Sequence, residues 1–178
     1  MDELNRPDVN KYRSAGKIPV ILVLDNIRSG LNVGAVFRTA DAFSIQAVFL
    51  CGITARPPHT EILKTALGAT ESVAWEYFQA TTDALDKLEQ MQFRLIAVEQ
   101  TDESISLDSA DLTDYFPLAL IFGNEMRGID QDVLRRCASG IEIPQHGIKH
   151  SLNVATAAGI LMWECYRQFL LRRRSSLA

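Results

Sequence analysis

The stretch IPVILVLDNIRSGLNVGAVFRTAD, residues 18–41, decides the fold. Its first part, 18–24, is a continuous apolar run rich in β-branched side chains. Such a run suits a strand buried on both faces of a parallel sheet. A polar turn from Asp25 to Gly30 follows, and then the period changes. Val33, Val36, Phe37 and Ala40 recur at i, i+3, i+4 and i+7, the stripe of an amphipathic helix. The spacing predicts a helix from about Asn32 to Phe43, with Asn32 as its N-cap. A buried strand feeding a helix is how an alternating α/β chain begins.

The alternation continues outward. Further strands are expected at 47–51, 72–78, 93–98, 118–122 and 141–143, and helices at 60–67, 81–91, 130–138 and 151–171. Gly52 and Pro57-Pro58 break the chain after the second strand. The fold class is therefore α/β, a mostly parallel sheet with helices on both faces. One domain is expected over 18–171, with a short N-terminal extension over 1–17 and a frayed basic tail over 172–178. Between Asp83 and Asp114 nine acids face two bases, Lys87 and Arg94. That stretch reads as a solvated outer face.

The chain has 178 residues, 47% of them apolar and 22% charged. A chain of this size can bury about 70% of its surface, so its core needs no staples. Collagen, a disordered tail and a disulfide scaffold are excluded. Cys51, Cys137 and Cys165 are odd in number and widely spaced, with no CxxC, HExxH or Cys/His cluster. They read as reduced thiols in a cytoplasmic protein, and no metal is expected. His146 and His150 stand four apart, but Gly147 between them argues against a shared helical face. The first residues lack the apolar core of a secretory signal. Glu164 and Arg167 interrupt the longest apolar run, so no membrane span is expected.

The net charge of −4 argues at first against a basic nucleic-acid binder. The charge is uneven, however. Residues 1–64 hold eight bases and six acids, and residues 65–178 hold ten bases and sixteen acids. Bases gather in the extension (Arg6, Lys11, Arg13, Lys17), in the candidate segments and beside them (Arg28, Arg38, Arg56, Lys149) and in the Arg172–Arg174 tail. A local basic surface of this kind leaves nucleic-acid binding open, with an affinity that falls steeply with salt.

Ligands of parallel sheets bind beyond the carboxyl ends of the strands. Three segments leave strands there with unusual residues. In the first, Asn26–Asp41, counting 100° per residue from Val33 puts Arg38 at about 140°. That is away from the apolar stripe and beside Gly34, Ala35 and Ala42. Small neighbours leave room for a large ligand at its guanidinium, whose fork suits phosphate. An ordinary solvated arginine fits the same geometry. In the second, FGNEMRGI at 122–129, Gly123 and Gly128 permit close backbone approach around Glu125. A tight turn is equally compatible, and the segment is neither GxGxxG nor a Walker A loop. In the third, IPQHGIKHSLNVATAAG at 143–159, Gly147 lies in a polar loop and Ser151 is an N-cap candidate. Asn153 follows in the first turn, and Ala155, Ala158 and Gly159 make a thin face. A capped, tightly packed helix would account for these as well.

Taken in this order, the segments resemble the three motifs of the SpoU (TrmH) family of S-adenosyl-L-methionine-dependent RNA 2′-O-ribose methyltransferases, in the SPOUT superfamily. The first motif stands as Asn32-Val-Gly34-Ala-Val-Phe-Arg38-Thr39-Ala40-Asp41. The second stands as Gly123, Glu125 and Gly128 after an apolar strand, and the third as Ile143-Pro144, Gly147 and Ser151-Leu152-Asn153-Val154. The match spans residues 20 to 165. Gln145 departs from the Met of many members.

The resemblance implies a SPOUT α/β knot, a deep C-terminal trefoil over about Leu118–Asn153, although knots are nearly absent from folds in general. It implies that S-adenosyl-L-methionine binds in a bent form and leaves as S-adenosyl-L-homocysteine. The cofactor residues it implies are Phe122, Gly123, Asn124, Gly128, Ile143, Gln145, Gly147, Ser151 and Leu152. It also implies a homodimer whose sites are completed by the second subunit. Arg38 becomes the central catalytic residue, while Asn32, Glu125, Ser151 and Asn153 position ribose, loops and cofactor. A free arginine is a poor base, since its pKa exceeds ~12. Arg38 is therefore expected to hold phosphate and stabilise the developing alkoxide, with a phosphate oxygen or water taking the proton.

The expected substrate is tRNA rather than rRNA, because the short extension leaves no room for an added RNA-binding domain. Two other classes compete: a silent RNA-binding knot protein and a flavodoxin-like nucleotide binder. The five motif residues together argue against the first, and the missing phosphate loop argues against the second.

Overall fold

The computed structural model describes residues 16–101, 104–148 and 151–175. Arg6, Lys11, Arg13, Lys149 and His150, and the last residues of the tail, lie outside them. In chain order, β1 (Ile18–Asp25) leads into α1 (Gly30–Ala42), followed by β2 (Ile45–Cys51) and α2 (Thr60–Ala66). The short α3 (Ala69–Ser72), β3 (Ala74–Phe78), α4 (Thr81–Gln90), β4 (Arg94–Val98) and β5 (Ser104–Ser106) come next. A 3₁₀ turn at Thr113–Tyr115 precedes β6 (Leu118–Phe122), α5 (Gln131–Leu134), β7 (Ser139–Glu142) and the long α6 (Val154–Ser175). The seven strands form one parallel sheet in the order β3-β2-β1-β6-β4-β7-β5.

β1 lies inside the sheet, and alternation along it feeds two cores. Val20, Leu22 and Leu24 pack with Val33, Val36 and Phe37 of α1 and with Leu161 and Met162 of α6. Ile21 and Val23 join Leu85 and Leu88 of α4 and Val133 of α5 on the other face. Burial on both sides explains why the run 18–24 carries no polar residue. Each such side chain contributes about 1.5–3 kcal/mol.

The later strands are interleaved with the earlier ones. β6 returns between β1 and β4, and β7 enters between β4 and β5, which only residues 99–103 connect. This interleaving is the arrangement a C-terminal knot requires.

Several expectations are corrected. Ser29, not Asn32, caps α1, its hydroxyl accepting from Asn32 N. Asn153, not Ser151, caps α6, its Oδ1 accepting from Ala155 N and Thr156 N. The helix expected at 130–138 shortens to Gln131–Leu134, because the chain must already be extended at Ser139 to pair with Ile96. The acidic stretch 83–114 is not simply a solvated face. It contains β5, and Leu85, Leu88, Leu107 and Leu112 within it are buried. The tail does not begin at 172. Arg172, Arg173 and Arg174 form the last turn of α6, where their charges suit the helix dipole. There Arg172 Nη1 donates to the Thr113 carbonyl at 2.5 Å.

Candidate functional site

The loops that carry the three motif segments meet beyond the carboxyl ends of β1, β6 and β7. The first bend is set by Asn26, at φ 57°, a left-handed conformation that Asn tolerates. Asn26 ties two loops: its Oδ1 accepts from Ile53 N at 3.1 Å and its carbonyl from Asn124 Nδ2 at 2.7 Å. The second loop closes on itself. Asn124 N and O pair with Gly128 O and N, and Asn124 Oδ1 accepts from Met126 N and Arg127 N. A Cβ at Gly123 would lie 2.3 Å from the Gly128 carbonyl carbon. Gly128 has φ +69°, and its Cβ would lie 2.7 Å from Glu99 Oε2. Both glycines thus serve the loop's own closure, and the polar groups of Asn124 are spent inside the fold.

That closure holds Glu125 over the start of α1. Its Oε2 accepts from Arg28 N at 3.0 Å, and its Oε1 accepts from Ser29 N at 3.4 Å and Asn32 Nδ2 at 3.3 Å. Asn32 Oδ1 in turn accepts from Asn153 Nδ2 at 3.0 Å. A continuous chain, Glu125–Asn32–Asn153, therefore joins residues from all three segments. Burial pushes the Glu125 carboxyl up, but the hydrogen bonds from Arg28 N, Asn32 and Ser29 N outweigh it and hold the pKa below the ordinary 4.5. A carboxylate with a depressed pKa stabilises the fold above its unfolded value and loses that contribution as pH falls through its folded value. Below about pH 4.5, wild-type protein will lose thermal stability more steeply than Glu125→Gln. Parallel curves of Tm against pH would show that these bonds do not stabilise the charged form.

The other candidates are placed as follows. Phe122 is buried at the end of β6, paired with Leu24. Ile143 is half-buried against the core, while Gln145, Gly147, Ser151 and Leu152 are exposed. Arg38 is exposed on α1, and among the described residues its guanidinium makes no hydrogen bond or ion pair. It does not join the Glu125–Asn32–Asn153 chain. Gly34 leaves no ligand space beside it, because α2 fills that space: a Cβ there would lie 2.1 Å from Thr65 Oγ1. Sequence reasoning gave no role to Ser29, to Asn26, or to Glu99, whose Oε2 accepts from Ile129 N at 3.1 Å. Asn26 and Ser29 carried local signals, an Asn directly after a strand and a Ser directly before a helix, and Glu99 carried none.

The thiols stay out of this site. Burial pushes the Cys51 and Cys165 pKa values up to about 12 and that of Cys137 to about 11. Among the described residues no three His, Cys, Asp or Glu side chains converge as metal ligands. Nor is any described helix long and apolar enough to cross a membrane.

A parallel α/β sheet with late strands inserted between early ones, and a polar site on three converging loops, defines the architecture of the SPOUT proteins. Residues 19–163 match the SpoU rRNA Methylase family, and the chain belongs to that family. It is 33% identical over 158 residues to the 23S rRNA (guanosine-2'-O-)-methyltransferase RlmB of Nitrosomonas europaea, covering 89% of this chain and 60% of that one. Its identity to the tRNA (guanosine(18)-2'-O)-methyltransferase of Aquifex aeolicus is 28%, covering 84% and 69%. The AdoMet-bound rRNA methyltransferase structure from Sinorhizobium meliloti superimposes with a TM-score of 0.76 at 27% identity, covering 88% of this chain and 59% of that one. The chain spans 41–60% of the length of the first curated relatives it matches.

Proposed function

We propose that this protein transfers the methyl group of S-adenosyl-L-methionine to a ribose 2′-OH of RNA, with tRNA favoured over rRNA. The observation that carries this reading is the Glu125–Asn32–Asn153 chain, which draws all three motif segments into one site. The named relatives include both tRNA and rRNA 2′-O-methyltransferases.

The residues of the third segment fit the cofactor. Gly147 is not in the left-handed region, and a Cβ there would meet nothing within 4 Å. Among the described residues nothing requires glycine at 147, and the open space there suits a ligand. Ile143 offers an apolar edge for an adenine, and Ser151 and Leu152 lie exposed beside the loop. When bound, S-adenosyl-L-methionine supplies a methyl group already activated on a sulfonium, so no metal is needed. The chain's own work is positioning. Glu125 fixes the start of α1, and Asn32 and Asn153 hold the first and third loops in register.

Arg38 holds the RNA phosphate and stabilises the alkoxide that develops as the ribose proton leaves to a phosphate oxygen or water. It lies six residues beyond Asn32, about 9 Å along the helix and on another face. As the family resemblance implies, the protein acts as a homodimer, and Arg38, set apart from the Glu125–Asn32–Asn153 chain, serves the site of the second copy. Exposed Leu31, Leu152 and Trp163 offer apolar surface for that contact. A cytoplasmic location belongs to the same reading, since the three cysteines are free. Calorimetric titration with S-adenosyl-L-homocysteine tests the cofactor assignment. Micromolar binding with one site per chain is expected, and no binding would overturn it.

A further inference from the structure

The chain contains a second crevice, separate from the third-segment loops. It is a cavity of about 750 Å³ beyond the carboxyl ends of β1 and β6. One wall is the β1–α1 turn with Asp25, Asn26 and Arg28; the other is the 124–131 stretch with Met126 and Arg127. Its position follows from topology. From β1 the chain crosses to β2 through α1, on the face where Val33 and Phe37 pack. From β6 it crosses the opposite way to β7 through α5, whose Val133 packs on the other face. Adjacent strands whose connections leave in opposite directions on opposite faces open a crevice between them, the switch point where α/β sheets bind ligands.

The lining has the chemistry of a nucleotide site. Arg28 and Arg127 are exposed cations. Met126 is 77% exposed and Ile53, across the cavity rim, is 67% exposed, so both are free to lie against a base. On the same loop as Ile53, Arg56 sits 4.4 Å over the Tyr77 ring, extending the cationic and aromatic surface outward. Buried Asp25 accepts from Asn26 Nδ2 at 2.8 Å and from Thr81 Oγ1 at 2.5 Å, both on Oδ1. A carboxylate has further acceptor positions for an amino group of a base. The crevice adjoins the proposed reaction site through one loop. Glu125, between Asn124 and Met126, is bonded to the backbone N–H of Arg28.

We propose that this crevice is a nucleotide-binding pocket of the enzyme, seating a base of the RNA strand next to the methylated ribose, with Arg28 and Arg127 on its phosphates. The proposal rests on the RNA reading of the site but not on methyl transfer. Single-stranded binding of this kind combines backbone cations with platforms for bases.

The test uses a fluorescein-labelled single-stranded RNA of random sequence and measures its affinity by anisotropy across a salt series. The double variant Arg28→Ala/Arg127→Ala should bind about 10-fold or more weakly. Its slope of log affinity against log salt should flatten by about 1.4, since each single-strand phosphate contact contributes about 0.7. Met126→Asp should weaken binding with less change in slope. S-adenosyl-L-homocysteine affinity should stay at the wild-type value in both variants, which shows that they are folded. Arg135→Ala, on an exposed side chain outside the cavity, should bind as wild type.

An unchanged affinity and slope in the double variant would overturn the pocket, as would absence of RNA binding by wild type. Micromolar binding of free 5′-mononucleotides would also overturn it, by assigning the crevice to small molecules. If wild type binds RNA through these residues but transfers no methyl group, the pocket stands and the methyltransferase reading falls.

Discussion

Replacing Arg38 with alanine will lower methyl transfer to RNA by about 10²–10³-fold, the usual loss when one donor to a developing oxyanion is removed. Binding of S-adenosyl-L-homocysteine will change little, because the candidate cofactor loops are elsewhere and no described residue bonds to the Arg38 guanidinium. The fold will also be preserved, since Arg38 is exposed and contributes nothing to the apolar stripe of α1. Arg38→Lys keeps the charge but loses the fork that grips phosphate, so it should recover only part of the activity. If dimers form as proposed, mixing Arg38→Ala with a variant disabled at Asn153 should restore some activity, because one site of a mixed dimer is intact. Single-turnover kinetics and calorimetry on the same preparations separate these effects. An equal loss of transfer and cofactor binding would give Arg38 a structural role instead.

Gly34→Ala will destabilise the protein, although alanine is the better helix former. In an open helix the exchange would gain about 0.5–1 kcal/mol. Here the new Cβ would lie 2.1 Å from Thr65 Oγ1 and 2.3 Å from the Ile62 carbonyl oxygen. A threonine hydroxyl can rotate, but a backbone carbonyl cannot move without its helix. α2 would have to shift, disturbing buried Ile62 and Ala66 and the bond from Thr65 Oγ1 to the Leu31 carbonyl at 2.9 Å. Overpacking of this kind costs about 1–3 kcal/mol or more, which exceeds the propensity gain. In a chain of this size each kcal/mol lowers Tm by about 2–4 °C. Gly34→Val will be worse and largely insoluble. Gly147→Ala is the contrasting variant: its Cβ meets nothing within 4 Å, so Tm should hold while cofactor affinity falls. A Gly34→Ala protein as stable as wild type would mean that α1 and α2 are not locked together at this point.

The sheet was legible because its central strands are buried on both faces. Residues 18–24 and 118–122 have no polar member, and both lie in β1 and β6 as expected. β5 escaped because Ser104–Ser106 is short, polar and at the edge, with only Ile105 to mark it. The caps were misjudged for a shared reason. Asn32 and Ser151 have capping chemistry, but Asn32 faces Glu125 and Asn153, and the chain stays non-helical until Val154. The motif glycines illustrate a limit of sequence. Gly34, Gly123 and Gly128 look like room for a ligand, yet each is filled by this chain's own backbone or side chains. Which glycine admits a neighbour and which admits a ligand depends on contacts between residues far apart in the chain. The bonds between Glu125 and the α1 start, and between Asn32 and Asn153, span 93 to 121 residues and leave no local trace.

The central claim is ribose methylation of RNA. The most direct measurement incubates the purified protein with S-adenosyl-L-methionine labelled in its methyl group and with total tRNA or rRNA from cells lacking the gene. The RNA is then digested to nucleosides, and the label is located. The account predicts label in 2′-O-methylribose of a defined RNA, greater in tRNA than in rRNA, and reduced about 10²–10³-fold in rate with Arg38→Ala. Label on a base, or no transfer to either RNA by protein that binds S-adenosyl-L-homocysteine, would contradict it.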